Sequence, residues 1–280
     1  MLSKDLAICI RAIDYSETSQ IVTLFTRANG KVSAIAKGSK RPKSAFDGPI
    51  EVFAHGEIVF SDPNKEKLAT LTEFQQQSGF THLANNIFAL NCCLFAVELL
   101  SNLTDDYDPH PELFDRFLQF LRNVDEQRTM NNEQRDITAL LILFQLTLLK
   151  EVGLMPVLDY CVNCKRRGTT QATPSATPRQ VDEGQKTRDE RRGTRDDGRW
   201  TRDEFYFSSS ANGLVCRDCE ASFPDKIKLT KNASDCLSNL KLIADTDENT
   251  LNEIEKVLIG HFTELIGKPP KMAKYVARGS

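Results

Sequence analysis

The sequence predicts a multidomain α+β protein: an N-terminal OB-fold β-barrel, an α-helical domain and an inserted four-cysteine zinc module. Three observations carry that expectation. Residues 4–75 alternate short apolar runs with turn residues, the hydrophobic period becomes helical from about residue 81, and two Cys-x-x-Cys pairs sit between helical stretches. A chain of 280 residues exceeds what one small core needs. The expected boundaries are 1–79 for the barrel, 80–155 for the first helical part, 156–224 for the zinc module, and 225–280 for the second helical part with a basic tail.

The barrel strands are expected at Asp5 to Ile13, Gln20 to Thr26, Lys31 to Lys37, Ile50 to Phe60 and Leu68 to Phe74. The clearest alternation puts Ile50, Val52, Ala54, Ile58 and Phe60 on a packed face, with Glu51, His55 and Glu57 on a wet one. Five closing strands are most like an OB-fold, which binds single-stranded nucleic acid on one face; an SH3-like barrel gives much the same pattern. Phe25 and Phe60 are expected to point inward. Tyr15 and Phe46 are the expected exposed stackers.

Charge is distributed unevenly along a chain whose formal net charge is −3. Arg27, Lys31, Lys37, Lys40, Arg41 and Lys43 follow one another with no intervening acid, around an Asn29-Gly30 turn. Such a run suits a polyanion, although a solvated surface produces the same pattern. A second, smaller basic patch is expected at Lys268, Lys271 and Lys274, where a frayed tail is the alternative.

Helical periodicity places Ile87, Leu90, Leu94 and Val97, with Phe88, Phe95 and Leu99, on a first helix. A second helix runs from Pro111 to Val124, and a third from Glu133 to Val152. The third is apolar nearly all round and belongs at the centre of a bundle. Cys92 and Cys93 read as core residues, since nothing nearby in sequence would lower their pKa. Further helices at 234–243 and 251–266 return to the bundle.

Cys161, Cys164, Cys216 and Cys219 form two knuckles whose four thiolates suit a tetrahedral zinc. Four sulfur ligands leave no position for water, so the ion is structural. The intervening residues 165–204 carry almost no aliphatic side chain and are expected to be disordered. Closing so long a loop costs on the order of 1 kcal/mol, against about 10–16 kcal/mol of zinc affinity. The insert therefore leaves the metal site intact.

Taken in order, TLFTRANGKVSAIAKGSKRPKS, LATLTEF, FQLTLLKEVGLMPVLDYCVNC, FYFSSSANGLVCRDC and HFTELIGKPPKMAKYV resemble the bacterial recombination mediator family RecO over nearly the whole chain. The resemblance leaves out the insert, which is longer than the family usually has. It implies an N-terminal OB-fold, a helical domain bearing a zinc module, and binding to single- and double-stranded DNA with annealing of complementary strands. The implied partners are RecR, single-strand-binding protein and, indirectly, RecA.

Other functions find no support in the residues. Gly260 to Lys268 lacks the spacing that cradles a phosphate. His55, His82, His110 and His261 sit in no triad or metal motif, so no enzyme is expected. Ile137 to Leu149 is too short to cross a bilayer and includes Gln145. The expected location is the cytoplasm, at the nucleoid. The residues also leave open a zinc-containing RNA-binding adaptor with an OB-fold, or a protein-binding scaffold.

Overall fold

A computed structural model of the chain describes residues 2–41, 44–46, 48–61, 68–77, 79–80, 82–126, 133–166 and 204–277. Lys43 and nearly all of the 165–204 insert lie outside the described residues. The chain divides into two compact units, Met1–Pro156 with Leu240–Ser280, and Val157–Asn239.

In the first unit, five strands close a barrel in the order β1-β2-β3-β5-β4. They are β1 (Leu2–Asp14), β2 (Gln20–Thr26), β3 (Gly30–Ala36), β4 (His55–Ser61) and β5 (Ala69–Gln76). All pairs are antiparallel except β3 with β5, the parallel contact that shuts the barrel. Inward residues alternate as a closed sheet requires: Val22 and Leu24 on β2, Val32, Ala34 and Ala36 on β3, Ile58 and Phe60 on β4. This is the expected OB-like barrel.

Three expectations for the barrel are corrected. Ile50 to Ala54 is not strand: Phe53 adopts φ +71, and Ala54 N–H bonds the Glu51 carbonyl in a turn. The alternation therefore starts only at His55, which is buried and faces Phe80 instead of water. Phe46 is also buried, because the segment after β3 folds back over the barrel core. Phe25 is buried, but on the outer side of β2, where its ring lies 6.0 Å from Phe114 and 6.4 Å from Phe117.

Those two rings belong to α2 (Pro111–Glu126), which with α1 (Ile87–Leu103), α3 (Glu133–Glu151) and α5 (Glu248–Ile266) packs into the helical part of the unit. Asn86 caps α1 by accepting from Phe88 and Ala89 N–H groups. Phe88, Phe95, Val97 and Leu99 are buried as expected, with Cys92 among them, whereas Ile87 is exposed and Leu90 and Leu94 are half-buried. Cys92 and Cys93 are fully buried, as expected of core thiols. Helix α3 touches α1, α2 and α5 and so lies centrally. It stops at Gly153, whose φ of +75 only glycine adopts without cost, with Leu154 N–H returning to the Leu149 carbonyl. Arg135 ties the start of α3 to the Ala244 and Thr246 carbonyls.

In the second unit, β6 (Phe205–Ser208) is central between β7 (Gly213–Cys216) and β8 (Ile227–Leu229), followed by α4 (Lys231–Ser238). No helix among the described residues is long and apolar enough to cross a membrane.

Candidate nucleic-acid interface and metal centre

The five cations of the basic run that lie among the described residues divide between opposite ends of one strand. β3 separates Gly30 from Ala36 by about 20 Å at ordinary strand rise. At the Gly30 end, Arg27 donates to both carboxylate oxygens of Asp115 on α2, at 2.9 Å each. Lys31 reaches the carbonyls of Ser101 (2.9 Å) and Thr104 (2.8 Å) at the C-terminus of α1, with Asp106 at 3.5 Å. Its side chain is only 14% exposed. The turn itself is pinned by Asp5, which accepts from Ala28 N–H and the Asn29 amide. Gly30 is required here by its φ of +68 and because a Cβ would collide with the Asp108 backbone. This end of the hairpin is thus docked on the helices.

The other end is open. Lys37 and Arg41 are exposed, and neither enters an ion pair among the described residues. Lys40 donates to Asp14 at 2.8 Å, which joins this loop to the end of β1. The loop is held in shape by Gln20, a buried amide that accepts from Ser39 Oγ and Ile50 N–H and donates to the Ile50 carbonyl. Gly38 N–H to Ser19 Oγ and Lys40 N–H to the Thr18 carbonyl set the loop beside the β1–β2 turn. Tyr15 lies in that turn and is 63% exposed, as expected of a stacker.

Between the two ends runs an outer face that periodicity did not reveal. Register places Ile13 opposite Ile21 and Ile21 opposite Ile35, so the three side chains form a row across β1, β2 and β3. The neighbouring row is Arg11, Thr23 and Ser33. Arg11 and Ile13 are exposed, and the others are half-buried. A bulge between Cys9 and Arg11 turns Arg11 outward while Ala12 packs inward. Helix α2 packs on this face at Phe25, and the β1 edge of the face, Arg11 and Ile13, is exposed. The only sequence clue was an arginine in the middle of an apolar strand.

The second basic patch lies elsewhere. Lys268, Lys271 and Lys274 are all exposed around the short α6 (Ala273–Val276). Glu98 on α1 fixes that segment by accepting from Lys271 and Met272 N–H groups at 2.7 Å each.

The candidate metal centre lies within the second unit. The sulfurs of Cys161, Cys164, Cys216 and Cys219 all lie within 4.8 Å of one another and could hold a metal ion. Each knuckle is a tight turn: Lys165 N–H bonds the Cys161 carbonyl, and Cys219 N–H the Cys216 carbonyl. Cys216 N–H also points at Cys161 Sγ, 3.4 Å away. A tetrahedron of ~2.3 Å metal–sulfur bonds needs sulfurs about 3.8 Å apart. Cys164 and Cys216 Sγ are 3.8 Å apart, so the donor set fits a tetrathiolate site. Cys161, Cys216 and Cys219 pack with Tyr206 and Val215, which makes the cysteines themselves the core of the module.

An OB-like barrel backed by helices and joined to a four-cysteine module defines a class of multidomain α+β proteins. Residues 1–80 match the family model "Recombination protein O N terminal", and residues 84–192 match "Recombination protein O C terminal". The chain belongs to the recombination protein O family, a family of DNA repair and recombination proteins. It is 27% identical over 283 residues to the DNA repair protein RecO of Bacillus pumilus, covering 99% of this chain and 94% of that protein. The RecO of Bacillus subtilis is 24% identical with the same coverage. That of Salinibacter ruber is 36% identical over 153 residues, 55% of this chain and 56% of the relative.

Proposed function

We propose that the chain is a recombination mediator in DNA repair that binds single- and double-stranded DNA and anneals complementary strands. With RecR it helps load RecA onto DNA coated by single-strand-binding protein. Family membership supports the role, and one observation carries the DNA site. This is the barrel's outer face around the Ile13–Ile21–Ile35 row, with Arg11 in the neighbouring row and the exposed Lys37 and Arg41 in the loop that follows β3.

In this reading phosphates meet Arg11, Lys37, Lys40, Arg41 and Lys43, while bases rest on the isoleucine row and Tyr15. Annealing follows from charge, because neutralised phosphates on two strands no longer repel each other. Arg27 and Lys31 serve the site indirectly by fastening the hairpin to the helices. Lys268, Lys271 and Lys274 offer a second phosphate contact. The four cysteines hold a structural zinc, which when bound cross-links the two knuckles and leaves no position for a substrate. The chain is accordingly read as a non-enzyme acting in the cytoplasm at the nucleoid. Its working parts are 1–79, 80–155, 156–224 and 225–280.

A strand-annealing assay with the pure chain tests the proposal. Annealing that fails while RNA is bound in preference to DNA makes the chain an RNA-binding adaptor. Absence of any salt-sensitive nucleic-acid binding makes it a protein scaffold.

A further inference from the structure

The four sulfurs of the cysteine cluster are not equivalent. Cys161, Cys216 and Cys219 are buried among Tyr206, Val215 and Phe223, whereas Cys164 closes its knuckle at the surface and is the exposed member. A thiolate ligand is electron-rich, and a small oxidant reaches the one that solvent reaches. Across the cluster, Cys216 Sγ lies 3.8 Å from Cys164 Sγ, on the other knuckle.

From this geometry we infer that Cys164 is an oxidation site, the thiol through which a hydroperoxide disassembles the metal centre, and that Cys216 resolves it. The inference rests on the zinc reading above. In the first step the Cys164 thiolate attacks the peroxide O–O bond; the thiolate becomes a sulfenic acid and hydroxide leaves. In the second the Cys216 sulfur attacks the Cys164 sulfenic sulfur, the S–O bond breaks, and the hydroxyl departs as water with the Cys216 proton or one from solvent. Two thiols have lost two electrons to one peroxide. Two thiolates remain, too few to retain a zinc ion. Closing the S–S bond requires the sulfurs to approach from 3.8 Å to about 2.05 Å, a shift the exposed Cys164 turn can supply.

The pairing has a structural consequence. A bond from Cys164 to Cys216 joins the two knuckles as the metal did, whereas Cys161–Cys164 and Cys216–Cys219 disulfides leave them unlinked. The oxidised module is therefore zinc-free and still folded.

The test uses the full chain as purified. Its zinc content is measured first, which decides the metal reading by itself. Hydrogen peroxide is then added in steps. A chromogenic chelator follows zinc release, differential alkylation with mass spectrometry identifies the modified thiols, and far-ultraviolet circular dichroism follows structure. The expected result is that Cys164 is modified first, a Cys164–Cys216 cross-linked peptide accumulates in step with zinc release, and the dichroism is unchanged. Cys164→Ser should slow peroxide-driven release by about tenfold or more. Should that variant fail to retain zinc, the order of thiol modification in the unsubstituted chain still decides. First modification at a buried cysteine, or cross-links confined within a knuckle, overturns the inference. A chain purified without zinc defeats the metal reading instead, and the same alkylation order then shows separately whether Cys164 and Cys216 pair.

Discussion

The ammonium of Lys31 lies 2.8 Å from the Thr104 carbonyl and 2.9 Å from the Ser101 carbonyl, so a strand residue of the barrel caps the C-terminus of α1. The last carbonyls of a helix have no partner within it, and a cation there satisfies both their hydrogen bonding and the helix dipole. Lys31→Met removes the donor and leaves two partly buried carbonyls without it, and should cost about 1–3 kcal/mol of unfolding free energy. Arg27→Ala breaks a half-exposed pair and should cost under about 1 kcal/mol. Urea denaturation of the two variants checks the order. Equal, negligible losses would return Lys31 to the solvated face.

The open end of β3 should carry the salt dependence of DNA binding. Each phosphate contact on single-stranded DNA contributes about 0.7 to the slope of log K against log salt. Lys37→Ala with Arg41→Ala should flatten that slope by about 1.4, and adding Arg11→Ala should bring the loss to about 2. Arg27→Ala should leave it unchanged. Titrations at several salt concentrations measure this directly. A slope that responds to Lys268, Lys271 and Lys274 instead would move the site to the C-terminal patch.

A pH effect on stability should arise in the helical core. Glu255 on α5 is fully buried beside Gln145, whose amide donates to it at 2.8 Å, and its Oε2 has no partner among the described residues. Burial pushes its pKa up to about 7 from an ordinary 4.5, and the Gln145 bond offsets this only in part. The folded pKa is the higher one, so the folded state holds the proton more tightly. Its stability falls as pH rises between about 4.5 and 7 and levels off above. The loss is about 3 kcal/mol across that window. Glu255→Gln imitates the protonated acid, so its stability advantage over the unsubstituted chain should grow through the window and then stay constant. Parallel thermal or denaturant unfolding at pH 5, 6, 7 and 8 checks the trend. An advantage independent of pH would mean that the carboxyl does not titrate there.

Removal of the metal should act on the second unit. Because Cys161, Cys216 and Cys219 form the core of the module and are the proposed ligands, Cys219→Ser should lower bound zinc and expose residues 204–239 to protease. The barrel core around Leu24, Ile58 and Phe60 contains none of these cysteines and should keep its amide protection. Elemental analysis and hydrogen exchange on the same sample provide both readings. A variant that loses zinc with no change in protection of the module would show that the sulfurs are held by packing alone.

Residue spacing alone determined most of the barrel strands, the four long helices and the four-cysteine cluster. Each of those signals is local or quasi-local: a period of two, a period near 3.6, or paired ligands two residues apart whose chemistry has few other uses. Only the tertiary structure decided which cations are free. Arg27 and Lys37 read identically in a basic run, but α2 brings Asp115 to the first and, among the described residues, no acid pairs with the second; the Arg27–Asp115 contact spans 88 positions of sequence. It likewise decided that Phe46 is core and not a stacker, and that Ile13, Ile21 and Ile35 stand in one row. Pairing partners across strands are fixed by register and by the bulge at Arg11, and a linear pattern of hydrophobicity records neither. Charge and periodicity state what a residue can do, whereas the long-range neighbours that fold around it decide whether that capacity is spent inside the protein or left for a ligand.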